Sequence, residues 1–132
     1  MKTLVLGASP NPDRYAYKAV ISLIAHGHNV IPVGIKKGNI RGLEIMNGFP
    51  EIEDIDTVTL YLNAKNQQNW YNYIIALNPK RIIFNPGAEN VELEYLAQIS
   101  GIQSINACTL VMLSAGTFES KDKSEQKLQR DI

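Results

Sequence analysis

The sequence has one cysteine, Cys108, so no disulfide can form within a monomer and a reduced, intracellular setting is the simpler expectation. It has no excess of either charge, since 13 basic and 13 acidic residues give a formal net charge of zero. That removes the global field that would draw the chain to nucleic acid or to an anionic membrane, and neither is expected as a partner. No apolar run approaches the ~20 residues that a membrane-spanning helix requires. Residues 1–7 carry one lysine and a short apolar run before a glycine, too little for a signal peptide, and a cytoplasmic location is expected. The sequence also lacks internal repeats and low-complexity tracts. Glu51, Glu53, Asp54 and Asp56 make an acidic turn without the spacing of a calcium loop; it reads as a solvated face, and no metal is expected.

What is present is 132 residues, 45% of them hydrophobic, which suits one domain that buries roughly two-thirds of its unfolded surface. Short β-rich apolar runs alternate with amphipathic segments, the pattern of a Rossmann-like α/β fold: a parallel sheet with helices on both faces. Strands are expected at 4–6, 29–33, 57–62, 81–84 and 102–105, with 43–46 as a short strand at the sheet edge. The run at 4–6 has no polar alternation, as a central strand covered on both faces requires. Tyr17, Val20, Ile21 and Ile24 share one face of a first helix, which Gly27 ends. Trp70, Tyr73, Ile74 and Leu77 repeat that spacing before Asn78-Pro79, and Asn90 caps a further helix that Gly101 ends. The domain is expected to span 1–118; from 119 to 132 the composition turns charged and reads as a solvated tail or frayed helix.

In an open α/β sheet, ligands bind beyond the carboxyl ends of the strands, so the loops there carry the functional signal. The first is Gly7-Ala8-Ser9-Pro10-Asn11-Pro12-Asp13-Arg14. Gly7 permits a tight turn, and the amides of Ser9, Asp13 and Arg14 at a helix start suit an anion. The helix dipole adds about 0.3–1 kcal/mol at an exposed site, and the Arg14 fork grips phosphate with paired donors. Ser9 and Pro12 stand where G-x-G-x-x-G needs its second and third glycines, which disfavours a standard NAD loop. The second loop, Val33-Gly34-Ile35-Lys36-Lys37, lacks the acid that would hold an adenosine ribose. Its two lysines suit a phosphorylated ribose, either the 2′-phosphate of NADP or the 3′-phosphate of coenzyme A. In a chain without a ligand, the same loops would be a proline-stiffened connection and ordinary surface charge.

Gly7-Ala8-Ser9 with Pro12 and Arg14, Gly27-His28 before Val30-Ile31-Pro32-Val33, Gly42, Asn85-Pro86-Gly87-Ala88, and Gly101 leading to Cys108 form an ordered set over about residues 1–112. This set resembles the small coenzyme A-binding protein family, whose domain is similar to the nucleotide-binding domain of the succinyl-coenzyme A synthetase α subunit. The resemblance implies that Gly7, Ala8, Ser9, Pro12 and Arg14 line a pyrophosphate site, and that Pro32, Val33 and Lys36 contact the adenosine end. Tyr61 and Asn63 after the fourth strand, and Asn85, Pro86 and Gly87 after the fifth, would bound the rest. The chain departs from the family at Tyr15-Ala16-Tyr17, where small polar residues are common, and Tyr15 joins the candidate set. It departs again at Asn106-Ala107, where a basic residue often precedes the cysteine.

The implied function is a non-catalytic module that binds coenzyme A or an acyl-coenzyme A. An NADP-dependent oxidoreductase or another NAD(P)-binding protein is the alternative, though no proton donor is placed to serve it. A third reading is an interaction domain without a ligand. The synthetase relatives keep their phosphohistidine chemistry in a further domain, so ligase activity by this chain alone is not expected. Cys108 is placed for thiol exchange, but a lone cysteine reads first as a small buried hydrophobe. His26 and His28 are expected to complement a helix C-terminus. Trp70, Tyr71 and Tyr73 are expected to pack on the sheet, any exposed remainder suggesting a dimer surface. The expected partner is a small-molecule ligand, with a homodimer or a partner subunit left open.

Overall fold

A computed structural model of the chain describes residues 1–119, so of the charged tail only Glu119 falls within the described residues. In chain order the strands are Lys2–Leu6 (β1), Asn29–Val33 (β2), Asn39–Ile40 (β3), Leu43–Glu44 (β4), Thr57–Leu60 (β5), Arg81–Phe84 (β6) and Gln103–Asn106 (β7). The helices are Tyr15–Ala25 (α1), Ala64–Gln67 (α2), Tyr71–Leu77 (α3), Val91–Ile99 (α4) and Thr109–Ala115 (α5), with a 3-10 turn at Gln68–Trp70. Five strands form one parallel sheet in the order β2-β1-β5-β6-β7. This is a Rossmann-like α/β fold with helices on both faces.

The period-two alternation of a strand divides the apolar side chains between two cores. Leu4, Leu6, Val58, Leu60, Ile82 and Phe84 face Ile74 of α3 and Leu93 and Ala97 of α4. Val5, Val30 and Ile83 face the other way, against Ala16, Val20 and Leu23 of α1 and Leu113 of α5. Every residue of β5 and β6 is buried, which is why, after Arg81 at the start of β6, these strands read as unbroken apolar or β-branched runs.

The edge strand expected at 43–46 is not part of this sheet. Arg41 and Gly42 both take positive φ, 51° and 81°, and this turn folds β4 back on β3 as a separate two-stranded hairpin. Only Met46 reaches the sheet, through one parallel bridge to Val33 and a 2.9 Å hydrogen bond from its N–H to the Pro32 carbonyl. The strand expected to run to 62 stops at Leu60, and Asn63 caps α2 by accepting a bond from the Asn66 amide at 2.9 Å. Helix α5 was not anticipated.

The order of strands reverses at β1: the chain steps to one side to form β2 and to the other to form β5. The carboxyl ends of β1 and β5 therefore flank the crevice where such folds accept ligands.

Candidate functional site at the carboxyl edge of the sheet

The first strand delivers Gly7 at φ 99°, and the amides of Gly7 and Ala8 both donate to the Val33 carbonyl, at 2.9 and 3.0 Å. These bonds pull the loop after β1 onto the end of β2. The approach is so close that a Cβ on Gly34 would lie 2.1 Å from the Ala8 carbonyl oxygen. Glycine is required at that position by contact alone.

Beyond Ala8 the loop satisfies itself. The Asn11 amide donates to Ser9 Oγ at 3.2 Å, Asp13 N–H to Asn11 Oδ1 at 3.0 Å, and Arg14 N–H to the Asn11 carbonyl at 3.1 Å. The amides of Asp13 and Arg14, expected to face an anion, are thus committed within the loop, the first by an Asx turn on Asn11 Oδ1 and the second by a backbone turn on the Asn11 carbonyl. The donors at the start of α1 are instead those of Tyr15, Ala16 and Tyr17, which have no intrahelical acceptor and no side-chain cap.

These loops open onto a groove of about 910 Å³. One wall carries Ser9, Arg14, Tyr15 and Ala16; a second carries Gly34, Ile35 and Lys36. The third is α2 and the 3-10 turn, with Asn63, Lys65, Asn66, Gln68, Asn69 and Trp70, and Pro86, Gly87 and Ala88 close the floor. Among the described residues that line it, Arg14, Lys36 and Lys65 are the charged ones, and none is an aspartate or glutamate. The groove is therefore biased toward anionic ligands.

Gly7, Ala8, Ser9, Arg14, Tyr15, Lys36, Tyr61, Asn63, Pro86 and Gly87 of the expected set meet at this groove. Pro12 lines a separate hollow of about 350 Å³ with Lys18 and Arg41. Pro32 and Val33 are buried in β2, where Val33 acts through its carbonyl. Asn85 lies beneath the groove, fully buried, donating to Thr59 Oγ1 at 2.7 Å and to the Leu60 carbonyl at 2.9 Å while accepting from the Thr109 amide at 2.8 Å. It locks the ends of β5 and β6 to the start of α5. Tyr61 packs its ring into the core with its hydroxyl buried beside Thr59 and Thr109, and burial pushes its pKa up, keeping the phenol neutral.

Of the third wall, sequence reasoning named only Asn63 as a site residue. The wall's organiser is Gln67, which is fully buried and donates to the Leu62 and Ala88 carbonyls at 2.8 and 2.7 Å. Its Oε1 accepts from Asn90 at 2.8 Å. A polar residue between Asn66 and Gln68 looks like one more exposed amide, and only its fold partners separate it from them. Cys108 is half-buried at the start of α5 and off the groove wall. His26 Nδ1 lies 2.7 Å from the Ser22 carbonyl at the end of α1, the helix-terminal role expected of it. Trp70, Tyr71 and Tyr73 are partly buried against the core, and the Phe49 ring packs against Trp70 tilted by 51°, with ring centres 4.7 Å apart. Among the described residues no group of three or more His, Cys, Asp or Glu could hold a metal ion, and no helix is long and apolar enough to cross a membrane.

A crystal structure of an uncharacterized protein is 59% identical to this chain, covering 89% of it and 97% of that chain, with a TM-score of 0.87. A hypothetical protein from Pyrococcus horikoshii OT3 is 24% identical over 86% of this chain and 81% of its own, with a TM-score of 0.77. The dinucleotide-forming acetyl-coenzyme A synthetase 1 of Ca. Korarchaeum cryptofilum, in complex with phosphate and ADP, is 18% identical over 80% of this chain and 25% of its own, with a TM-score of 0.60. At their identities the last two share the fold. The sequence profile of the CoA binding domain matches residues 1–114. That match runs through every loop that builds the groove and every strand that places those loops, and the chain accordingly belongs to the CoA binding domain family.

Proposed function

We propose that the groove binds coenzyme A or an acyl-coenzyme A, and that the protein acts as a binding module. The observation that carries this reading is a groove at the reversal of strand order whose charged lining residues are all cations, opening beside the uncapped first turn of α1. In this reading the diphosphate lies against the Tyr15 and Ala16 amides and Arg14, where helix dipole and guanidinium act together. The adenosine follows Gly34 and Ile35, with Lys36 toward the 3′-phosphate. The pantetheine arm crosses Tyr61 and Asn63 toward Pro86 and Gly87. Among the described residues no carboxylate, histidine or cysteine lines the groove, and the polar groups that do line it, Ser9, Asn63, Asn66 and the three cations among them, serve in this reading to hold the ligand. The proposed setting is the cytoplasm, in keeping with the free thiol of Cys108.

Thermal unfolding with coenzyme A, dephospho-coenzyme A, NADP and NAD tests the proposal. Coenzyme A at a hundred times its Kd is expected to stabilise the fold by about 2.7 kcal/mol. Dephospho-coenzyme A should do less, because Lys36 loses its partner, and NAD less again. Arg14→Glu should abolish the coenzyme A shift. Equal shifts with all four ligands, or none, would overturn the reading. A larger shift with NADP than with coenzyme A would favour the oxidoreductase alternative.

A further inference from the structure

Resting on that reading, we infer that the α2 wall of the groove selects a short acyl group that ends in a carboxylate, and that Lys65 is the residue that pairs with it. Two of the three cations already have partners in the proposed pose: Arg14 at the start of α1, and Lys36 after β2. Lys65 does not. It follows β5, and β5 and β2 flank β1 on opposite sides, about 10 Å apart at the usual strand spacing. Its charge therefore lies across the groove from the adenosine wall, on the side toward which the pantetheine arm runs. Among the described residues Lys65 makes no ion pair, and no protein carboxylate lines the groove to compete for it.

The rest of this wall argues against a fatty chain. Asn63, Asn66, Gln68 and Asn69 present carboxamides to the groove and are exposed. Covering them with alkyl groups would strip their water and return no hydrogen bonds. Leu62 and Trp70 are the apolar side chains on this wall, and both are already partly buried in the core cluster; the exposed apolar side chains of the groove, Ile35 and Tyr15, stand on the other two walls. A carboxylate at the end of a few methylenes suits such a wall: amides can donate to it, and the Lys65 ammonium supplies the charge-assisted bond.

Titration calorimetry with coenzyme A, glutaryl-, pentanoyl- and octanoyl-coenzyme A tests this on the native chain and on Lys65→Gln. Glutaryl and pentanoyl esters have the same acyl length and differ in the terminal carboxylate. The native protein is expected to bind the glutaryl ester about fivefold more tightly than the pentanoyl ester, as one partly exposed ion pair warrants. The octanoyl ester should bind most weakly of the three. Lys65→Gln should bring the glutaryl-to-pentanoyl ratio close to one, and Lys65→Glu should invert it. A ratio of one in the native protein, or a preference that survives Lys65→Gln, overturns the inference while leaving coenzyme A binding in place. Silence with coenzyme A and with all three esters overturns the groove reading itself, and this inference with it.

Discussion

A methyl group at position 34 has nowhere to go. Its carbon would stand 2.1 Å from the Ala8 carbonyl oxygen and 3.1 Å from the carbonyl carbon, and both are backbone atoms that cannot rotate away. Gly34→Ala must therefore separate the loop after β1 from the end of β2 and strain the two hydrogen bonds that the Val33 carbonyl accepts from Gly7 and Ala8. We expect it to cost about 2–3 kcal/mol in urea denaturation, the upper part of the overpacking range, and to weaken coenzyme A binding because the same loop carries Ser9 and Arg14. In the sequence this glycine is indistinguishable from Gly42 or Gly87, whose added Cβ would meet nothing within 4 Å. Arg14 and Lys36 could be read from the sequence because their charge is informative wherever a strand-end loop carries it. The fate of the Asp13 and Arg14 amides could not, since Asn11 takes them through a turn whose geometry only the folded loop reveals.

At the scale of elements, the groove is held in shape by buried amides rather than by the strands alone. Asn85 joins β5, β6 and α5, and Gln67 joins the Leu62 and Ala88 loops to the Asn90 cap of α4. Asn85→Leu would leave the Leu60 carbonyl and the Thr109 amide buried without this partner, so we expect a loss of about 3 kcal/mol in denaturation. Gln67→Met, of similar length, should cost about 2–3 kcal/mol and also speed amide hydrogen exchange in the loop at 61–63, because the third wall loses its tie to the floor. The sequence announced β1, β2, β5 and β6 because strands covered on both faces must be short, apolar and β-rich. It was silent on α5, where Thr109 and Leu113 are the buried positions and seven residues are too few to establish a helical period. It misplaced 43–46 for a related reason: two residues pair with β3 and one bridges Val33, so no stretch is long enough to show an alternation.

Across the whole molecule, the two ends of the sheet carry different tasks. The carboxyl ends hold the groove, while at the amino ends the chain closes on itself. There Arg81, buried at the first residue of β6, donates to Thr57 Oγ1 at 2.8 Å and to the Phe118 carbonyl at 2.6 Å, and lies over the Phe118 ring at 4.5 Å. The Phe118 ring in turn meets the His28 ring edge-on, with centroids 5.0 Å apart. The order β2-β1-β5-β6-β7 and this closure were not legible, since uniformly apolar strands do not encode their neighbours and Phe118 looked like the last residue before a tail. Burial, followed by the Met1 amine, lowers the His28 pKa below its ordinary 6.5; His26 and Arg81 act in the same sense, and Glu119 opposes them. The fold therefore prefers the neutral imidazole, and the unfolded chain binds a proton first as pH falls. This contribution to stability is complete above pH 6.5 and is lost as pH drops from there through the lower folded pKa, with a slope of at most about 1.4 kcal/mol per pH unit for one proton. Urea midpoints between pH 8 and pH 5 should fall more steeply for the native chain than for His28→Gln, which has no proton to gain at this site. Because His28 lies at the opposite end of the sheet from the groove, the substitution should leave coenzyme A affinity at pH 7.5 unchanged; a parallel loss of both would mean that the two ends of the sheet are coupled.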